Sequence, residues 1–206
     1  MKKLFSAFFF LLAWVPLCQA SGIAVISYVE GGPQILREGK ILDAKPGAEC
    51  QTGDILKTPT PECHLDVAIN GLAGCRLLPS SECVLSNASS SNMRLEIKSG
   101  NAILNLKKLP ADSTFEVETP TAVATVRGTQ FWGRVDAASP ENPVTTFAVR
   151  QGEVMILAKG VGENFYLKEG QALDIPKNAA AAPSIRPALA EEMQAMEQAS
   201  AVKTSA

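Results

Sequence analysis

The segment EVETPTAVATVRGTQFWGRV, residues 116–135, alternates like a β-strand, breaks its own parity at Arg127-Gly128, and then alternates again. Ala122, Ala124 and Val126 fall on one face of an extended chain, whereas beyond the glycine the inward set is Phe131, Gly133 and Val135. A slip of one residue carries every side chain to the opposite face of a sheet, so a chain that keeps one core has to absorb it with a bulge or a corner. Gly128 is suited to that: lacking a Cβ, it takes positive φ or lets a second backbone approach. Pro120 cannot donate to a sheet ladder and marks the end or edge of the preceding strand. Arg127, with several donors beside the kink, reads first as a tie to neighbouring carbonyls or a carboxylate.

The rest of the chain follows the same grammar. Asn70-Gly71, Ser99-Gly100-Asn101, Gln151-Gly152-Glu153 and Lys168-Glu169-Gly170 each sit between short β-rich runs, as hairpins and tight corners require. No amphipathic stretch of about 10–15 residues separates them, so parallel βαβ units are not expected and the class is all-β: sandwich, barrel or solenoid. Ser86–Asn92 reads as a polar loop. After Ile175 the composition turns Ala-rich with Pro183 and Pro187, giving a linker and a short helical tail in which Leu189, Met193 and Met196 make a sparse apolar stripe.

Several separated pieces, in order, resemble one family. TPTAVATVRGTQF with its following aromatic strand, TTFAVRQGEVMI and YLKEGQAL, and upstream VEGGPQILREGK, CQTGDILKT, LDVAINGLAGCRLLPSSECVL and LEIKSGNAILNL, are together similar to the FecR domain, the extracytoplasmic module of bacterial iron-transport signalling regulators. The resemblance runs from Ile23 to Ile175 and centres on Pro120, Arg127, Gly128, Thr129 and Phe131. It implies a solenoid-like, twisted β-sandwich of short strands and a role in signalling through contacts. The signalling members of that family carry a cytoplasmic sigma-factor segment and a transmembrane helix before the domain. Here Met1-Lys2-Lys3 precedes the apolar run directly, so a stand-alone exported member is expected rather than a transmembrane anti-sigma factor.

That run, Leu4 to Leu17, is apolar apart from Ser6 and Pro16, and Cys18-Gln19-Ala20 supplies small residues at a cleavage position. It is a secretory signal peptide, too short to cross a bilayer core of about 30 Å comfortably. The expected organisation is therefore a signal peptide over residues 1–20, a β domain over 21–176 and a tail over 177–206. The exported chain stays in the periplasm or leaves the cell, with no membrane span after cleavage. The whole chain has a formal charge of −2, and losing Lys2 and Lys3 makes it more acidic. With no basic patch, neither nucleic acid nor an anionic membrane surface is an expected partner.

Cys50, Cys63, Cys75 and Cys83 are an even number clustered in one stretch of an exported chain, and they read as two disulfides whose connectivity stays open among three possibilities. A metal site is not expected, because there is no CxxC and His64 is the sole histidine. A histidine-based triad lacks its parts for the same reason. Glu116, Glu118, Asp112 and Asp136 are the carboxylates nearest the motif, but alternating acids on a strand read as its solvated face. No phosphate-binding loop is present, and no cofactor is expected. Trp132 is adjacent to Phe131 and so points to the opposite face, which makes it a candidate exposed anchor for a protein partner or a sugar ring. The functional expectation is a non-enzymatic envelope module that binds another envelope protein or senses a signal. Its alternatives are a cell-wall or polysaccharide binder, with a glycan as partner, and a carboxylate-based hydrolase.

Overall fold

The computed structural model describes residues 24–89, 91–136, 141–178 and 183–198; the expected signal peptide lies outside them. The described strands join one hydrogen-bonded network that folds into two layers. The first layer runs β4 (Glu49–Cys50), β1 (Ala24–Glu30), β6 (His64–Ile69), β7 (Ala73–Leu77), the second half of β9 (Asn92–Leu106), β12 (Gln130–Asp136), β13 (Val144–Gln151), β16 (Gln171–Pro176) and β17 (Ile185–Pro187). The second runs β3 (Lys40–Asp43), β2 (Gln34–Arg37), β5 (Ile55–Thr58), β8 (Ser81–Ala88), the first half of β9, β10 (Thr114–Glu118), β11 (Ala122–Val126), β14 (Glu153–Ala158) and β15 (Glu163–Lys168). Beyond the first strands, successive hairpins alternate between the layers, so the chain winds like a solenoid while building a sandwich. The all-β, solenoid-like twisted sandwich with a short C-terminal helix is the architecture observed.

One strand belongs to both layers. β9 pairs with β8 and β10 through Ser99 or earlier, and with β7 and β12 from Gly100 onward. The bend falls at Gly100, whose φ of +79° favours glycine and whose notional Cβ would lie 2.6 Å from the Ser80 carbonyl oxygen and from Ser81 Cα. β8 extends to Ala88 and β9 begins at Asn92, so the polar stretch expected as a loop contributes mostly to a hairpin. Small polar residues are tolerated there because the ladder on β8 and β9, not their side chains, fixes the backbone.

The core lies between the layers. Alternate residues of each strand point inward, among them Leu56, Leu95, Phe115 and Ile156 from the second layer and Ile26, Leu104, Phe131 and Phe147 from the first. Phe131 and Phe147 pack with ring centroids 6.3 Å apart and planes tilted by 49°. Full burial of each such side chain contributes about 1.5–3 kcal/mol. A smaller apolar cluster forms on the outer face of the first layer, where helix α1 (Ala190–Gln198) lies across Ile103, Trp132, Ala148 and Ala172. The segment read as a tail thus adds both a strand and a helix to that layer.

Candidate functional site

The parity break is a corner between layers. β11 ends at Val126 in the second layer and β12 begins at Gln130 in the first, so Arg127–Thr129 is the crossover and the slip exchanges one inward face for the other. Gly128 has φ of +112°, and a Cβ there would sit 3.0 Å from Lys108 Cα. Arg127 donates from its guanidinium to the Ala111 carbonyl at 2.6 Å, tying the corner to the loop ahead of β10. Thr129 is buried and its carbonyl accepts from Leu106 N–H at 2.9 Å. Phe131 enters the main core, and Gly133 shares its face, where a Cβ would meet Ile97 and Phe147.

Pro120 sits in the tight connection from β10 to β11, and its threonine neighbours carry an interaction that sequence reasoning missed. Thr121 donates to Thr145 Oγ1 at 2.6 Å, Thr145 to Thr119 Oγ1 at 2.9 Å, and Thr119 to the Ala122 carbonyl at 3.1 Å. All three threonines are buried. This hydroxyl relay joins a turn of the second layer to β13 of the first. The TPT spelling was the only available signal, and nothing in it names Thr145.

Trp132 does not fit the expected exposed anchor. Its side chain does leave the main core, as the parity with Phe131 requires, but it is only 7% exposed, buried in an apolar cluster with Met196 of α1. Its Nε1–H has no partner among the described residues. Around it the registers align one row across the layer: Asp66, Arg76, Ile103, Trp132, Ala148, Ala172 and Arg186. Polar contacts fasten α1 at both ends of its apolar patch. Arg186 grips Asp174 at 2.6 Å and the buried Glu192 at 2.7 Å, Gln130 donates its side-chain amide to the Met196 carbonyl at 3.2 Å, and Arg150 lies 3.7 Å from Glu197. The Arg186 bond holds the Asp174 carboxyl below its ordinary range.

The expected disulfides are not formed. Cys50, Cys63, Cys75 and Cys83 are free and buried. Register explains why. Cys50 faces the Ala24 end of β1 whereas Cys63 precedes His64, which pairs with Glu30 at the other end, about 20 Å away at about 3.3 Å per residue. Cys75 is separated from β4 by β1 and β6. Cys75 and Cys83 come from opposite layers, and both thiols are free. Burial pushes the Cys50 thiol up to about 12 and raises Cys75 and Cys83 above the ordinary thiol range. They pack as small apolar groups.

Three of the four carboxylates near the motif are held by cations. Glu116 pairs with Arg94 at 2.5 Å and Glu118 with Lys159 at 2.7 Å, and the Lys159 bond lowers the Glu118 carboxyl. Asp136 lies 3.4 Å from Arg134, and Asp112 is exposed. A glycosidase acid needs the opposite environment, one that raises its pKa. His64 Nδ1 stands 3.8 Å from Glu30, outside hydrogen-bond distance. No metal-ligating cluster occurs among the described residues.

The outer face of the second layer is open instead. Two registered rows cross it, Arg94–Glu116–Thr125–Met155–Tyr166 and Glu96–Glu118–Val123–Leu157–Asn164. They are ion-paired on β9 and β10 and largely apolar on β11, β14 and β15, where Leu157 and Tyr166 are 38% and 53% exposed.

Residues 55–155 match the family described as FecR protein. A search of curated proteins gave no match. Among solved structures, two crystal structures of a candidate anti-sigma factor from Parabacteroides distasonis superpose with a TM-score of 0.58 at 16% identity, over 70% of this chain. The match spans 64% of the length of those neighbours, and at that identity the likeness is one of fold. The chain carries a FecR domain over residues 55–155, running from β5 into β14 and containing the corner at Gly128.

Proposed function

We propose that this chain is a non-enzymatic envelope module, exported through its N-terminal apolar segment, that works by binding another envelope protein. The observation that supports this most is the half-apolar outer face of the second layer, Val123, Met155, Leu157 and Tyr166 beside the Glu118–Lys159 pair. An exposed apolar strip that ends in an aromatic residue on the β15 edge and is flanked by ion pairs on β9 and β10 has the make-up of a protein contact. The FecR match supports a signalling or interaction role.

The test places a photo-crosslinking amino acid at Tyr166 in the exported protein, irradiates the native envelope fraction and identifies adducts by mass spectrometry. A protein adduct that disappears with Leu157→Glu supports the reading. Adducts to glycan alone, or none, overturn it.

A further inference from the structure

We infer that the outer groove of the first layer is a docking site for a short acidic amphipathic helix of a partner protein, and that α1 occupies it in cis as a displaceable stand-in. The inference rests on the protein-binding reading above.

The groove has an apolar floor of Ile103, Trp132, Ala148 and Ala172, with Arg150 and Arg186 at its flanks. The chain itself demonstrates what fits. α1 presents Met193 and Met196, one turn apart, to the floor, and sends Glu192 and Glu197 to the two arginines. Charge and shape together therefore select an acidic helix with a two-residue apolar anchor.

Two features make α1 a weak tenant. It has nine residues, and helices shorter than about 12–15 are marginal without tertiary support. It also leaves the Trp132 Nε1–H buried and unpartnered among the described residues. An orphaned buried donor is a cost that a helix offering an acceptor at that position would remove. Arg150 and Arg186 remain for the newcomer when α1 leaves.

The probe is a synthetic peptide of residues 187–198, fluorescently labelled, titrated into the full chain and into its Met196→Asp variant, which weakens the cis contact. Because an occupied groove lowers apparent affinity by the fraction that is open, the variant should bind the peptide about 10-fold or more tightly than the native chain. Peptide carrying Met196→Asp should not bind, and the Trp132 indole resonance of the opened chain should move on saturation with the native peptide. If Met196→Asp fails to fold, Met193→Ser/Met196→Ser replaces it. Equal affinity of peptide for native and opened chains, or none for a folded opened chain, overturns the inference. So does a reversible dimer of the native chain that Met196→Asp abolishes, because the occupant would then be a second copy. The peptide result is independent of whether the Tyr166 crosslink finds a protein, so the two readings fail separately.

Discussion

Met196 and Trp132 are buried in one apolar cluster: a side chain from the last described helix packs on the outer face of a layer that includes strands of the FecR match. The indole leaves the main core by strand parity and is buried a second time by the tail. Met196→Ala should therefore act locally. We expect the tail contact to lose about 2–3 kcal/mol, seen as increased acrylamide quenching of Trp132 in a Trp14→Phe background, with a much smaller change in the midpoint of global unfolding.

The glycines should sort by what surrounds them. Gly128→Val adds a β-branched side chain at φ of +112° with Lys108 Cα 3.0 Å from the new Cβ, and Gly100→Ala drives a Cβ to 2.6 Å from fixed backbone. Each should cost about 1–3 kcal/mol or more in urea unfolding. Gly170→Ala has φ of +76° but nothing within 4 Å, so it should be the mildest of the three. A Gly128→Val chain with the native midpoint would refute the corner.

Removing the central hydroxyl of the threonine relay strands the buried Thr121, while Thr119 keeps its bonds to Ala122. Thr145→Val should destabilise by about 1–3 kcal/mol, since the buried Thr121 loses its acceptor. A double-mutant cycle of Thr121→Val with Thr145→Val should show coupling, whereas additive costs would mean that the relay contributes nothing as a unit.

The strap over Trp132 should loosen in acid. Asp174 is hydrogen-bonded by Arg186 and Thr146, which lowers its folded pKa, and Arg186 also holds Glu192. A depressed carboxyl contributes stability that is present above its unfolded value, about 3.9, and is lost as pH falls through the lower folded value. Quenching of Trp132 should stay flat from neutral pH to about 4 and rise below it. Asp174→Asn should show elevated quenching already at neutral pH and a weaker rise. Asp174 is nearly half exposed, so solvent screening keeps the effect modest.

With no disulfide, reductant should leave the melting temperature unchanged. Cys50, Cys75 and Cys83 should resist iodoacetamide at pH 8 in the folded chain and react fully in guanidinium, because burial removes both access and thiolate. Peptide mapping reads this directly, and a linked cysteine pair in the native protein would reinstate the bridge.

Much of the fold could be read from the chain because its signals were local. The parity of Ala122, Ala124 and Val126 against Phe131, Gly133 and Val135 required a corner, and the corner is there at Gly128. The Gly turns at Gly71, Gly100 and Gly152 fall where strands turn or bend. The cysteines misled because their even number says nothing about register, and register puts Cys50 and Cys63 at opposite ends of β1. Trp132 misled because parity assigns a face of a sheet but not what covers that face.

By itself, then, the sequence determined the alternation that makes an all-β sandwich, the place where the chain changes layers, and the family to which residues 55–155 belong, since each depends on neighbours within a few residues or on motifs kept in order. Only the tertiary structure decided that the thiols stay apart, that Thr119, Thr121 and Thr145 form one relay, and that α1 seals Trp132 while Leu157 and Tyr166 stay open. Those outcomes depend on which distant strands become neighbours, and pairing between strands far apart in the chain is fixed by the packing of the whole core rather than by any local residue preference.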